Sequence, residues 1–208
     1  MLKKFIVFEG LDGSGKTTQL KLLSKTLDEQ EIKHIRVNQP SSSRIGRLTR
    51  SAEQGEFPLS TETIAMLFAA DRLEIMLNEV RPALESDLYV LCDRHYMSSL
   101  AYQGQSDEKY KRVADYNQVS MQNFRPEITI FIDVEPEECI KRITSVRDAT
   151  GIYEKLSDLL EVRKRYFENF SKLMYTDNVL IIKGDDDINI INKNIYNALC
   201  EKGVFYFG

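Results

Sequence analysis

Phe5-Ile6-Val7-Phe8-Glu9-Gly10-Leu11-Asp12-Gly13-Ser14-Gly15-Lys16-Thr17 is the stretch that decides the fold. Its first four residues form a continuous β-prone run, closed by Glu9-Gly10. Gly10 to Thr17 then meets the spacing GxxxxGK[ST] at every fixed position. From Lys16 to about Glu29 a helical rhythm follows, with Leu20, Leu23 and Leu27 on one stripe. Strand, glycine loop and helix in that order wrap a phosphate. The glycines reach backbone angles that turn successive N–H groups inward, and the helix adds its positive N-terminus at the same point. Lys16 is then placed for the β- and γ-phosphates of a nucleoside triphosphate, and Thr17 for Mg2+ through its hydroxyl. A glycine-rich turn that binds nothing has no use for that lysine and that hydroxyl.

Working outward, short apolar runs alternate with longer helical patterns. His34-Ile35-Arg36-Val37 reads as a second strand, broken by Pro40 and Ser41 to Ser43. Ile64 to Leu84 reads as one helix, with apolar positions interleaved by Asp71, Arg72 and Glu74. Leu88 to Cys92 and Ile128 to Ile132 are buried strands that each end at an aspartate, and Val179 to Ile182 is a last one. Strands apolar on both faces, separated by helices, predict a parallel sheet covered on both sides. The expected fold is α/β, a doubly wound parallel sheet of about five strands with right-handed crossovers. No repeat, low-complexity tract or linker divides residues 1–208, so a single domain is expected. The apolar tail Val204-Phe205-Tyr206-Phe207 is expected to pack on the body or on a partner.

Composition narrows the function. The 208 residues carry 28 basic and 32 acidic side chains, a net charge of −4, which argues against a globally basic nucleic-acid-binding surface. Cys92, Cys139 and Cys200 are an odd count without a CxxC pair, the pattern of reduced thiols in a cytoplasmic protein. No apolar run approaches the roughly 20 residues of a membrane span, and Met1-Leu2-Lys3-Lys4 leads straight into a strand, so neither membrane residence nor a leader is expected. A GTPase needs an NKxD base reader, and Asn192-Lys193-Asn194-Ile195 fails its last position.

Two further groups point to an acceptor. Asp93-Arg94 sits at the carboxyl end of a strand, where ligands bind in open α/β sheets. An acid there can hold a metal's water shell or position the incoming group, and an arginine beside it can fork onto a phosphate; a strand-end salt bridge is the plainer reading. Phe68 and Arg72 lie four apart, on one helix face, suited to stacking a base and bonding its edge, although core packing also accounts for Phe68.

Taken together, these stretches resemble the thymidylate kinase family. The resemblance rests on Phe8 to Thr18, on Gln39-Pro40-Ser41-Ser42-Ser43-Arg44-Ile45-Gly46 with Arg50, and on Leu67 to Arg72. It continues through Asp93-Arg94-His95-Tyr96-Met97-Ser98-Ser99-Leu100-Ala101-Tyr102-Gln103-Gly104, Arg125-Pro126-Glu127 and Tyr153-Glu154. It implies phosphorylation of dTMP to dTDP by Mg-ATP, on the route to dTTP, with ATP and Mg2+ as cofactors. ATP would lie along Gly10, Leu11, Asp12, Gly13, Ser14, Gly15, Lys16, Thr17 and Thr18. Phe68 would stack on the thymine, Arg72 and Gln103 bond its polar edge, and Tyr102 close over the sugar where a ribose 2′-hydroxyl would sit. Asp12 would accept from the 3′-hydroxyl, and Arg94 and Arg50 hold the acceptor phosphate, with Ser98 and Ser99 as wall donors. His95 and His34 are expected to be structural.

Some relatives carry an arginine inside the glycine loop and others in a lid. Position 13 is glycine, so a short lid at about 141–154 is expected to supply that charge through Arg147 or Arg142. Arg142 also lies at helical spacing from Glu138 and can pair with it instead. The expected catalytic set is Lys16, Asp93, Arg94 and Arg147, with Thr17 and Asp93 toward the metal and Arg142 toward the nucleotide. The resemblance further implies a cytoplasmic homodimer.

Overall fold

The computed structural model describes residues 2–145 and 155–205. Its five strands are β1 (Leu2–Gly10), β2 (His34–Asn38), β3 (Tyr89–Asp93), β4 (Pro126–Asp133) and β5 (Val179–Lys183). They form one sheet in the order β2-β3-β1-β4-β5, with every neighbouring pair parallel. The predicted all-parallel, five-stranded sheet is therefore the one found.

The helices are α1 (Lys16–Glu29), α2 (Arg44–Glu53), α3 (Thr61–Ile75), α4 (Arg81–Glu85), α5 (Tyr96–Tyr102), α6 (Asp107–Tyr116), α7 (Gln118–Asn123), α8 (Pro136–Thr144), α9 (Leu156–Leu173) and α10 (Ile188–Glu201). The single helix expected over Ile64–Leu84 is instead α3 and α4 joined by a π-helical turn, Met76–Val80. Pro82 explains the change of winding. It has no N–H to give the turn before it, and its ring crowds that turn's carbonyl.

Alternation along the strands accounts for the two-sided cover. Ile6, Phe8 and Leu91 join the core beneath α1, α5, α9 and α10, whereas Phe5, Val7, Val90 and Cys92 face Ile75, Met76, Val80 and Ala83. All of these strand residues are buried, as a sheet with helices on both faces requires. The described part of the tail packs on the body. Val204 and Phe205 are buried, the Tyr89 hydroxyl donates to the Val204 carbonyl, and the Phe205 ring meets Tyr89 and Tyr196.

The topology fixes where a ligand belongs. The chain leaves β1 toward β2, comes back to β3, and then crosses β1 to reach β4. The connections after β1 and β3 thus run in opposite directions and leave a crevice at the strands' carboxyl ends. Phe8 pairs in register with Asp93, which brings the Gly10–Thr17 loop and the Asp93-Arg94 corner to one edge.

Candidate active site

A cleft of about 1170 Å3 opens at that edge. The loop from Asp12 to Thr18 lines it, together with Asp93, Arg94, Arg50, Gln39 and Pro40. Arg142, Ser145, Asp186, Ile188 and Ile191 also line it.

The loop's shape depends on glycine. Gly15 caps α1 in the left-handed region, with φ +92°, and Gly13 has φ +82°. A Cβ on Gly13 would also stand 2.5 Å from the Cys139 carbonyl oxygen, so this backbone admits no side chain there. Lys16 is buried, and its Nζ donates to the Leu11 carbonyl at 2.6 Å. Burial pushes the Lys16 ammonium below its ordinary value and Arg94 pushes the same way, while Asp12, Asp93 and Glu9 pull it back. The Thr17 hydroxyl donates to Asp93 Oδ2 at 2.5 Å, joining the first turn of α1 to the end of β3.

Arg94 has φ +72°, a left-handed conformation that costs a side chain of this size about 1–3 kcal/mol. Neighbouring bonds hold it there. Its N–H donates to the Phe8 carbonyl at 2.9 Å, and the next amide, His95, donates to Glu9 Oε1 at 2.8 Å. The guanidinium then reaches Asp12 Oδ1 at 2.5 Å through Nη2 and Ser98 Oγ at 2.9 Å through Nη1. It also lies 5.0 Å from the centre of the Tyr102 ring. The Tyr102 hydroxyl accepts from the Asp12 amide at 3.1 Å and donates to Asp12 Oδ2 at 3.2 Å. Burial opposes the Asp12 carboxylate, but Arg94 and Lys16, with hydrogen bonds from Arg94 and Tyr102, hold it below its ordinary range. Burial likewise opposes the Arg94 charge, but Asp12, Tyr102, Tyr166 and Glu9 together outweigh it and push the guanidinium up. Burial, then Asp12, drives the Tyr102 phenol well up.

Arg72 forms the second buried cationic centre. Its Nε donates to Gln39 Oε1 at 2.8 Å, and Nη1 reaches Ser99 Oγ at 3.1 Å and Asn117 Oδ1. Burial lowers it to about 10, which still leaves it charged at neutral pH. Phe68, one turn earlier on α3, packs with Ala52 and Ile64. The structure therefore gathers Asp12, Arg94, Ser98 and Tyr102 into one bonded group and Arg72 and Ser99 into another. Gln103 follows α5, one turn after Ser99. Asp12, Arg50 and Arg94 line the cleft, and Arg72, Ser98 and Tyr102 are bonded to its lining residues Gln39, Arg94 and Asp12. Arg50 donates to the Pro40 carbonyl at 2.7 Å. Arg142 makes the pair with Glu138 that its spacing suggests, at 3.0 Å, and also borders the cleft and donates to the Gly184 carbonyl at 3.1 Å. Arg147, Tyr153 and Glu154 lie outside the described residues, as does most of the segment 141–154 expected to form a lid.

Sequence reasoning assigned no role to three side chains that hold this arrangement. Glu9 is wholly buried and accepts from the His95 and Ser98 amides, the Ser98 hydroxyl and the Tyr166 hydroxyl, at 2.8, 3.2, 2.6 and 2.8 Å. An acid ending an apolar strand was the available signal. Asp71, also wholly buried, accepts from the Ser41 amide and from the Ser41 and Ser43 hydroxyls, which holds the loop that carries Pro40. Asn117 supports Arg72 from 45 residues away, and nothing local announces it.

A family model described as thymidylate kinase matches residues 8–195. The chain belongs to the thymidylate kinase family. It is 33% identical over 206 residues to a probable thymidylate kinase of Methanococcus aeolicus, covering 98% of this chain and 99% of that one. A thymidylate kinase of Ligilactobacillus salivarius is 34% identical over 208 residues, covering 91% and 97%, and a probable thymidylate kinase of Pyrococcus abyssi is 37% identical over 175, covering 81% and 82%. The family match begins near the end of β1 and ends in α10, so it takes in the phosphate loop and β2 to β5 whole. No helix among the described residues is long and apolar enough to cross a membrane.

Proposed function

We propose that this protein transfers the γ-phosphoryl group of ATP to dTMP, giving dTDP and ADP. The observation that carries the reading is the register of β1 with β3, which sets an arginine-bearing strand end beside a phosphate loop across one cleft. ATP lies along the loop with its phosphates at Lys16 and its base toward Arg142, Gly184 and Ile188. dTMP enters from the Arg50 and Arg94 side. Arg94 and Arg50 grip its phosphate, Asp12 accepts from the 3′-hydroxyl, Tyr102 backs the sugar, and Phe68 and Arg72 receive the base with Gln103.

The nucleophile is a phosphate oxygen whose second pKa is about 6, so it is largely ionised at neutral pH and needs no strong base. The difficulty lies in bringing two polyanions into line, which takes fixed positive charge. Arg94 is suited to it because Asp12, Ser98 and its own backbone leave the guanidinium one place to be. On the sequence reading, Arg147 supplies the remaining charge around the transferred group.

Thr17 Oγ1 and Asp93 Oδ2 fit a Mg2+ that binds mainly through nucleotide phosphates and water. Among the described residues no three His, Cys, Asp or Glu side chains gather to hold a metal without such help. When bound, the ion supplies charge neutralisation between the β- and γ-phosphates. Two chains associate as a homodimer, with the exposed Met66 on α3 and Leu77 in the π-helical turn as apolar contact surface, and the three free thiols suit the cytoplasm.

Consumption of Mg-ATP measured against dTMP, dUMP, UMP, dCMP, AMP and thymidine tests the assignment. The expected result is a kcat/KM for dTMP above all the others. A nucleotide or thymidine that matches dTMP refutes it, and sedimentation of the purified protein tests the dimer.

A further inference from the structure

We propose that Gln39 reads the acceptor base directly, giving an amide N–H to the 4-oxo group of the pyrimidine. The inference rests on the reading of dTMP as acceptor and adds a residue to its recognition. Gln39 follows β2, and its backbone N–H donates to the Asp93 carbonyl at 3.0 Å, which ties it to the strand end that carries Arg94. It lines the cleft while being only 5% exposed.

Its side-chain orientation follows from chemistry. Oε1 accepts from Arg72 Nε at 2.8 Å. A guanidinium only donates, so the amide cannot be turned the other way round without setting donor against donor. Nε2 is therefore held as a donor, and it is buried with no acceptor among the described residues. Gln103 Oε1 is the complementary case, a buried acceptor with no donor among the described residues. Arg72 Nε holds Gln39 and Nη1 holds Ser99, whose backbone carbonyl accepts from the backbone N–H of Gln103.

A free donor on Gln39 beside Arg72 matches the O4 acceptor of a 4-oxo pyrimidine, and an acceptor such as Gln103 Oε1 matches the adjoining N3–H. A 4-amino pyrimidine reverses both groups and would set donor against donor and acceptor against acceptor. Buried polar groups left in that condition are what make such a site selective.

Two variants separate base reading from mere support of Arg72. Gln39→Glu keeps an acceptor for Arg72 Nε but removes the donor, and Gln39→Met removes both at similar volume. Steady-state kinetics of the full-length protein with saturating Mg-ATP are compared for dTMP and dCMP, alongside thermal melting. The expected result for Gln39→Glu is a fall of about tenfold to a hundredfold in kcat/KM for dTMP, mostly in KM, with the KM for ATP unchanged. Its preference for dTMP over dCMP narrows at least tenfold, and Gln39→Met loses dTMP affinity as well. If Gln39→Glu keeps wild-type kinetics and only Gln39→Met is impaired, Gln39 merely supports Arg72 and the proposal is overturned. A wild-type enzyme without preference for dTMP over dCMP overturns the assignment of the acceptor, and this inference with it.

Discussion

Replacing Glu9 tests whether the strained corner that bears Arg94 is held from beneath. In the native site one carboxylate accepts four hydrogen bonds, two from backbone amides and two from hydroxyls. Gln keeps the size but offers one acceptor oxygen in place of two. If that oxygen stays with the His95 and Ser98 amides, the NH2 group faces the Ser98 and Tyr166 hydroxyls, which must turn to accept. Bonds to a charged acceptor contribute about 1.5–3 kcal/mol each and neutral ones about 0.5–1.5. Four weakened bonds therefore lose about 4 kcal/mol, offset by the smaller cost of burying a neutral amide. A net loss of about 2 kcal/mol is expected, which in a chain of this length lowers Tm by about 4–8 °C. Leu at the same position abandons all four donors and is expected to cost at least twice as much. Because Ser98 Oγ also accepts from Arg94, Glu9→Gln is expected to lower kcat by about tenfold or more while the KM for ATP stays unchanged. Calorimetric melting and steady-state kinetics of the two variants provide the assay. If Glu9→Leu melts with Glu9→Gln, or both turn over at the wild-type rate, the network does not hold the corner.

Lys16→Ala removes the one ammonium inside the phosphate loop, and kcat is expected to fall by about a hundredfold to a thousandfold, as when one transition-state donor is lost; near-normal turnover would mean the γ-phosphate is gripped elsewhere. His95 is buried with its Nε2 3.0 Å from the Phe124 carbonyl, and burial, then Arg72, depresses its pKa to about 3. The unfolded chain takes up that proton near pH 6.5 and the folded chain does not, so stability falls as the pH drops from 6.5 toward 3, by about 1.4 kcal/mol per unit. Denaturant titrations at pH 7 and pH 5 are expected to show about 2 kcal/mol more loss in the wild type than in His95→Gln, and equal losses would place the imidazolium in contact with water.

Much of the fold was legible because its signals are local. The run Phe5–Phe8, the glycine spacing that follows and the leucine stripe of α1 each lie within a few residues, and together they specify a parallel sheet with a phosphate loop at its edge. The strand that ends in Asp93 could be read for the same reason. Helix α5 was harder: all seven of its residues are buried, so its sequence lacks the polar face that betrays a surface helix. The break after Ile75 needed Pro82 to be weighed against an otherwise helical pattern.

What the sequence alone determined, then, was the set of groups able to bind phosphate and the order of strands and helices that carries them, since spacing and periodicity are properties of neighbouring residues. Tertiary structure decided how those groups act on one another. Arg94 takes a left-handed backbone only because Phe8 and Glu9, 86 and 85 positions earlier, supply the acceptors that hold it. Arg72 is oriented by Gln39, Ser99 and Asn117, drawn from three separate elements. Low charge density and long sequence separation leave no local trace of such partners; burial makes their hydrogen bonds obligatory, and only the folded chain reveals which groups satisfy one another.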